Sequence, residues 1–167
     1  DVIENVTWTP EVEIRGCTVF RIPTRGFLVS TRRKVLIEEN DFLATHMSGI
    51  LMAIDANNWF ESGFVHDLTI RNNKFIQCAE PVILIDPGNT VNNQSVYKNI
   101  RIENNEFTLR NAVIVKARST TGLSVTGNTV YSEKELNDDL SIQTVNCKEV
   151  STNNNYNYIQ KRRKPND

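Results

Sequence analysis

Along this chain, apolar and polar positions alternate in short bursts that keep returning in one form. Leu68-Thr69-Ile70-Arg71-Asn72-Asn73-Lys74-Phe75 is matched by Ile100-Arg101-Ile102-Glu103-Asn104-Asn105-Glu106-Phe107. The same phrase stands earlier at Val35 to Phe42 and later at Leu123 to Val130, with looser copies beginning at Val12 and Val150. A two-residue period is that of a strand with one face buried. The bursts are too short and too rich in Val, Ile and Thr for helices. The copies begin 23 to 33 residues apart, which makes self-similarity the first fact about the fold.

A second apolar stretch follows each copy: Gly26 to Ser30, Gly49 to Ile54, Val82 to Asp86, Ala112 to Ala117 and Leu140 to Val145. Each repeat therefore reads as strand, turn, strand, loop. A unit of that size cannot bury its own apolar face, whereas stacked copies can. The expected product is an all-β chain wound as a parallel β-helix of about six rungs, spaced by the roughly 4.8 Å strand separation. Asn40, Asn73, Asn105, Asn128 and Asn155 occupy one position of the repeat, so their amides are expected to bond from rung to rung as an Asn ladder. Asn also tolerates the left-handed backbone of a sharp corner. Cys17 takes the place in the first copy, read as a small buried thiol. Residues 1–160 form a single domain on this reading, with Asp1 to Pro10 as the tail of a preceding rung and 161–167 as a basic tail.

Two connectors depart from the repeat. Asp55 to Asp67 and Pro87 to Asn99 are long and leave the same corner of successive rungs, so they should project together, whereas Thr31 to Lys34 and Arg118 to Gly122 are short. Insertions gathered on one face of a repeat protein often build its binding wall. The first insert carries Trp59 and Phe60 as aromatic surface, Asp55 and Glu61 as carboxylates, and Asn57 and Asn58 as amides; the second adds Asp86, Asn89, Asn92 and Asn93. Acids, amides and a Trp suit a sugar, whose hydroxyls take directional hydrogen bonds while its apolar face packs on a ring. Trp59, Asn57, Asn58 and Glu61 are the candidate substrate-binding residues. Glycoside hydrolysis needs two carboxyl groups, roughly 5 to 5.5 Å apart for retention and about 6.5 to 9.5 Å for inversion. Glu61, Asp55 and Asp86 are the candidates for such a pair. The plain alternative is that Trp59 and Phe60 anchor the loop on the solenoid flank and the carboxylates are solvated.

Charge and composition exclude more than they add. A net charge of −1 gives no electrostatic case for nucleic acid or an anionic membrane surface. No apolar run is long enough for a membrane span. Cys17, Cys78 and Cys147 lack CxxC spacing, and His46 and His66 lack metal-ligand spacing, so neither a metal nor a cofactor is expected. Glu133, Glu135, Asp138 and Asp139 read as a solvated loop.

Pro10-Glu11, Gly26 to Thr31 and above all Asp55-Ala56-Asn57-Asn58-Trp59-Phe60-Glu61-Ser62-Gly63 resemble the C-terminal β-helix region of bacterial exo-acting α-1,3-galactosidases, of the type found in gut Bacteroides. The resemblance implies a right-handed winding, an inverting glycosidase that removes terminal α-1,3-linked galactose, and a carbohydrate partner. It also implies a bacterial protein that is secreted, periplasmic or on the cell surface. The family's paired-Asp motif belongs to rungs N-terminal to this segment and has no counterpart here; Asp138-Asp139 does not match its context. Trp59 and Glu61 would then be wall residues of a cleft completed by those missing rungs, and the segment alone would be inactive. Two other readings stay open: a non-catalytic carbohydrate-binding or cell-surface module, and a polysaccharide lyase or epimerase.

Overall fold

The computed structural model describes residues 5–54, 63–89, 94–136 and 141–160. Rung one holds β1 (Val12–Arg15), β2 (Thr18–Phe20) and β3 (Phe27–Leu28); rung two holds β4 (Val35–Glu38), β5 (Asp41–Leu43) and β6 (Ile50–Ala53). Rung three holds β7 (Leu68–Arg71), β8 (Lys74–Ile76) and β9 (Ile83–Asp86); rung four holds β10 (Tyr97–Glu103), β11 (Glu106–Thr108) and β12 (Val115–Arg118). β13 (Thr120–Thr126), β14 (Thr129–Ser132) and β15 (Ile142–Val145) form rung five, and β16 (Lys148–Ser151) and β17 (Tyr156–Ile159) close the series. Among the described residues every pairing is parallel and joins one rung to the next, giving two six-stranded sheets and one five-stranded sheet. This is a parallel β-helix.

The register follows the repeat residue for residue. Val12, Val35, Leu68, Ile100, Leu123 and Val150 lie directly above one another in the first sheet. Each rung has a strand more than the alternation suggests. β2, β5, β8, β11, β14 and β17 make a second sheet immediately after the Asn corner, and the later apolar stretches form the third. Most of these second strands are too short for a two-residue period to declare itself. Their middle residues point inward as a column of Val19, Phe42, Phe75, Phe107 and Val130. Phe42 stacks on Phe75 and Phe75 on Phe107 with centroids 4.6 and 5.0 Å apart, while Phe27 meets Phe42 edge-on. Such pairs add about 0.5–1.5 kcal/mol each beyond their buried area. Gly49 makes room for the stack, since a Cβ there would lie 2.9 Å from the Phe75 ring.

The Asn ladder is continuous. The side-chain oxygens of Asn73, Asn105, Asn128 and Asn155 each accept from both the backbone N–H and the amide of the Asn one rung earlier, at 2.9–3.1 Å. Each amide also donates to a first-sheet carbonyl of the preceding rung, as Asn73 does to Ile37 and Asn105 to Ile70. The left-handed residue is the one before the ladder: Gly16, Glu39, Asn72, Asn104, Gly127 and Asn154 all have φ between 54° and 68°. The corner thus divides its tasks, the first residue turning the backbone and the second bonding along the axis. Cys17 is exposed and meets the ladder only through its N–H, which donates to Asn40 Oδ1.

Two further expectations change. Residues 5–10 form a turn closed from Thr9 to Val6, with Trp8 exposed, so no strand precedes β1 among the described residues. Tyr97 to Asn99 and Thr120 to Gly122 belong to β10 and β13, because their backbones find partners in the first sheet. The second long connector therefore spans 87–96, and the short one after β12 is Ser119 alone.

Candidate functional site

The candidate corner is the one where the third sheet hands the chain back to the first. The described ends of the two long connectors lie one above the other there. Lys98 donates its N–H to the Val65 carbonyl at 2.9 Å, so the two returns are in register. A Cβ on Gly88 would sit 2.8 Å from the Ile54 carbonyl, so the two departures are stacked as well. On the other side, Gly63 passes so close to Ser30 that a Cβ would overlap the Ser30 carbonyl. Arg32 covers the Phe64 ring at 4.7 Å, and Phe64 stacks with His66. The expectation that both connectors leave one corner of successive rungs is met by these ends.

Of the sequence candidates, Asp86 lies in this corner. Asp55, Asn57, Asn58, Trp59 and Glu61 lie outside the described residues, as do Asn92 and Asn93. Asp86 ends β9 facing outward, one step beyond the Ile85–Ala117 register pair, which sets it beside Arg118. Arg118 donates from Nε at 3.1 Å and from Nη2 at 2.6 Å to Asp86 Oδ1, and from Nη1 to the Asn89 carbonyl at 3.0 Å. The Gly88 N–H donates to the same Oδ1 at 3.1 Å. Asn89 Nδ2 donates to Ser119 Oγ, and the Thr121 hydroxyl bonds to Ser95. Burial pushes the Asp86 carboxyl up, but the Arg118 hydrogen bond, the Gly88 N–H and the charges of Arg118 and Lys116 together hold it below the usual carboxylate range. Asp86 is thus kept ionised, a negative charge held in place by Arg118 and the Gly88 N–H.

Beneath the corner, Tyr97 is fully buried in the core, and its hydroxyl has no hydrogen-bond partner among the described residues. Burial and the nearby Asp86 charge both push that phenol above its ordinary value.

Sequence reasoning named Asp86 but not its partner. The signal was present: Asp86 and Arg118 are 32 residues apart, the same interval that separates Asn73 from Asn105 on the ladder. Opposite charges one repeat apart at the same strand position are neighbours in a stacked solenoid. Glu80 was also missed. Its two carboxylate oxygens accept four consecutive backbone N–H groups, Arg110 through Val113, at 2.6–2.9 Å and so shape the turn of the next rung. Among the described residues no cluster of His, Cys, Asp or Glu is arranged to hold a metal. The described cysteines are free, and no helix among these residues is long and apolar enough to cross a membrane.

Comparison with known proteins decides the kinship. No protein-family profile matches the chain. It is 50% identical over 159 residues to alpha-1,3-galactosidase A of Bacteroides thetaiotaomicron, a match covering 92% of this chain and 28% of that protein. It is 46% identical to alpha-1,3-galactosidase A of Akkermansia muciniphila over 129 residues, 77% of this chain and 22% of the relative. Alpha-1,3-galactosidase B of Bacteroides thetaiotaomicron is 45% identical over 142 residues, 79% of this chain and 23% of its own length. Most of this chain is homologous to part of the bacterial α-1,3-galactosidases. It spans between 18% and 28% of the length of the curated relatives it matches. The resemblance to the bacterial α-1,3-galactosidases is thereby established for most of the chain.

Proposed function

We propose that this β-helix is one portion of a glycoside hydrolase releasing terminal α-1,3-linked galactose from glycans, and that the corner bearing residues 55–67 and 87–96 forms a wall of its sugar cleft. The observation that carries this reading is the 50% identity to an α-1,3-galactosidase along 92% of the chain. Trp59 supplies the ring on which a pyranose packs, while Asn57, Asn58 and Glu61 take its hydroxyls. Asp86 serves the same wall as an anchored negative charge. Its depressed titration argues against the general-acid role, and glycoside hydrolysis requires a second carboxyl group across the scissile bond.

A segment this small relative to its relatives is expected to be inactive by itself. Supporting this, Val12, Ile14, Phe27, Val29 and Val35 line an apolar opening at the first rung, where a further rung of the same protein would complete the core. The test compares the full protein with residues 1–167 alone on an α-1,3-galactoside. Galactose release by the first and not the second is the expected result. Release by the isolated segment would remove the claim of incompleteness, and sugar binding without turnover by the full protein would make the solenoid a binding module. In the full protein, Trp59→Ala should weaken sugar binding while leaving the fold intact; unchanged affinity in a titration would take Trp59 out of the site.

A further inference from the structure

We infer that Arg118 is a positioning residue for the sugar site: its guanidinium clamps the departing end of the second long connector to the rigid third sheet. The inference rests on the proposed galactosidase reading and adds to it the residue that holds the wall in place. Three observations converge on it. Arg118 belongs to β12, a strand paired on both sides, so its backbone is fixed by the solenoid. Its side chain spans two separate acceptors, the Asp86 carboxylate at the end of β9 and the Asn89 carbonyl inside the connector. Asn89 is in turn tied by its amide to Ser119 Oγ, the single residue between β12 and β13, and the connector's returning end meets Thr121 through Ser95. Rung-four and rung-five residues therefore hold both ends of a connector inserted after rung three.

The fork geometry matters because one planar group must reach a carboxylate and a carbonyl together. Arg offers five N–H donors in a rigid plane, whereas Lys is a single point charge on a flexible stem. Arg118→Lys keeps the positive charge beside Asp86 and removes the planar fork that holds both acceptors at fixed positions. A wall residue displaced by a fraction of an ångström loses binding and orientation, although it contributes nothing to the chemical step itself.

The test uses the full protein carrying Arg118→Lys, Arg118→Ala and Asp86→Asn. Galactose release from an α-1,3-galactoside is measured alongside thermal unfolding and limited proteolysis within residues 87–96. Arg118→Lys should raise KM by roughly tenfold with kcat changed by less than about threefold, because the clamp acts on the placement of the wall and not on the reacting atoms. Proteolytic cleavage in the connector should accelerate without a matching fall in Tm, and Arg118→Ala should be no more than modestly worse. If the parent protein cleaves the substrate and Arg118→Lys shares its KM and cleavage rate, Arg118 is only a surface ion pair and the inference fails alone. A Tm loss that accounts for all the lost activity in every variant overturns it too. If the parent protein releases no galactose, the galactosidase reading fails first and the positioning role goes with it.

Discussion

The two corners that flank the first sheet obey opposite rules. At the exit from that sheet, rungs one to five turn on the same pair of positions, Gly16-Cys17 through Gly127-Asn128, and the geometry does not vary. At its entrance the chain crosses by Ser119 alone after β12, but by residues 54–67 after β6 and 87–96 after β9. The difference lies in where the hydrogen bonds go. The Asn corner is buried, so each amide and each backbone N–H must find a partner on the next rung, and an extra residue would break the column. At the other corner the described connector ends are held by separate tethers, such as Lys98 to Val65 and Arg118 to Asn89, and not by an axial column. A longer excursion there breaks no ladder, and loop closure costs little per added residue. Invariance marks what holds the solenoid up, and variation marks where it can acquire a task.

The predictions press on this contrast, beginning with the invariant side. Phe75→Ala removes the middle ring of the stack and should cost about 3–5 kcal/mol in denaturant unfolding; a loss below ~1 kcal/mol would mean the column closes over the gap. Asn105→Ala leaves the buried Asn73 N–H without its acceptor and removes the side-chain links to the Asn73 amide and the Ile70 carbonyl, and should cost about 3 kcal/mol. The same change at Asn155, near the last rung, should cost less than half as much, and equal losses at both positions would refute a ladder whose value depends on burial.

On the variable side, Gly63→Ala should disturb the first connector and leave the solenoid nearly as stable. Gly63 sits at φ +152° with no space before Ser30, so the returning chain must shift. Hydrogen exchange confined to residues 63–67 is the expected pattern, and global destabilisation would show that this corner supports the fold after all. Acid sensitivity should be milder. The Arg71 hydrogen bond, reinforced by the charges of Arg15 and Arg71, holds Glu38 below its ordinary value, and Asp86 is likewise lowered. Both carboxylates therefore titrate lower folded than unfolded. Their stabilisation is complete above the ordinary carboxyl range and is lost as pH falls through the depressed folded values. Asp86→Asn should flatten part of that acid limb and cost roughly 0.5–1 kcal/mol at neutral pH, the pair being partly exposed. Tyr97→Phe is the smallest change: its hydroxyl lies buried without a partner among the described residues, so removal should be neutral or stabilise by about 1 kcal/mol.

Much of this architecture can be read in one dimension because a parallel solenoid maps sequence period directly onto spatial stacking. The apolar column from Val12 to Val150 and the ladder from Asn40 to Asn155 needed only counting. The second sheet was harder to see, since strands such as Thr18–Phe20 offer one inward residue each and no alternation to recognise. The left-handed residue at the corner was placed one position late, because both members of Asn72-Asn73 and Asn104-Asn105 have the same chemistry and only the backbone distinguishes them.

The sequence by itself determined that the chain is a stack of like coils, which residues face inward, and which corner carries the insertions, because all three depend on local periodicity. Only the tertiary structure decided that Arg118 grips Asp86 and Asn89, that Glu80 cradles four amides of the next rung, and that Tyr97 buries its hydroxyl. Those are relations between side chains on different rungs, set by rotamer, strand register and depth, and a repeating pattern constrains which rungs meet without stating which atoms touch.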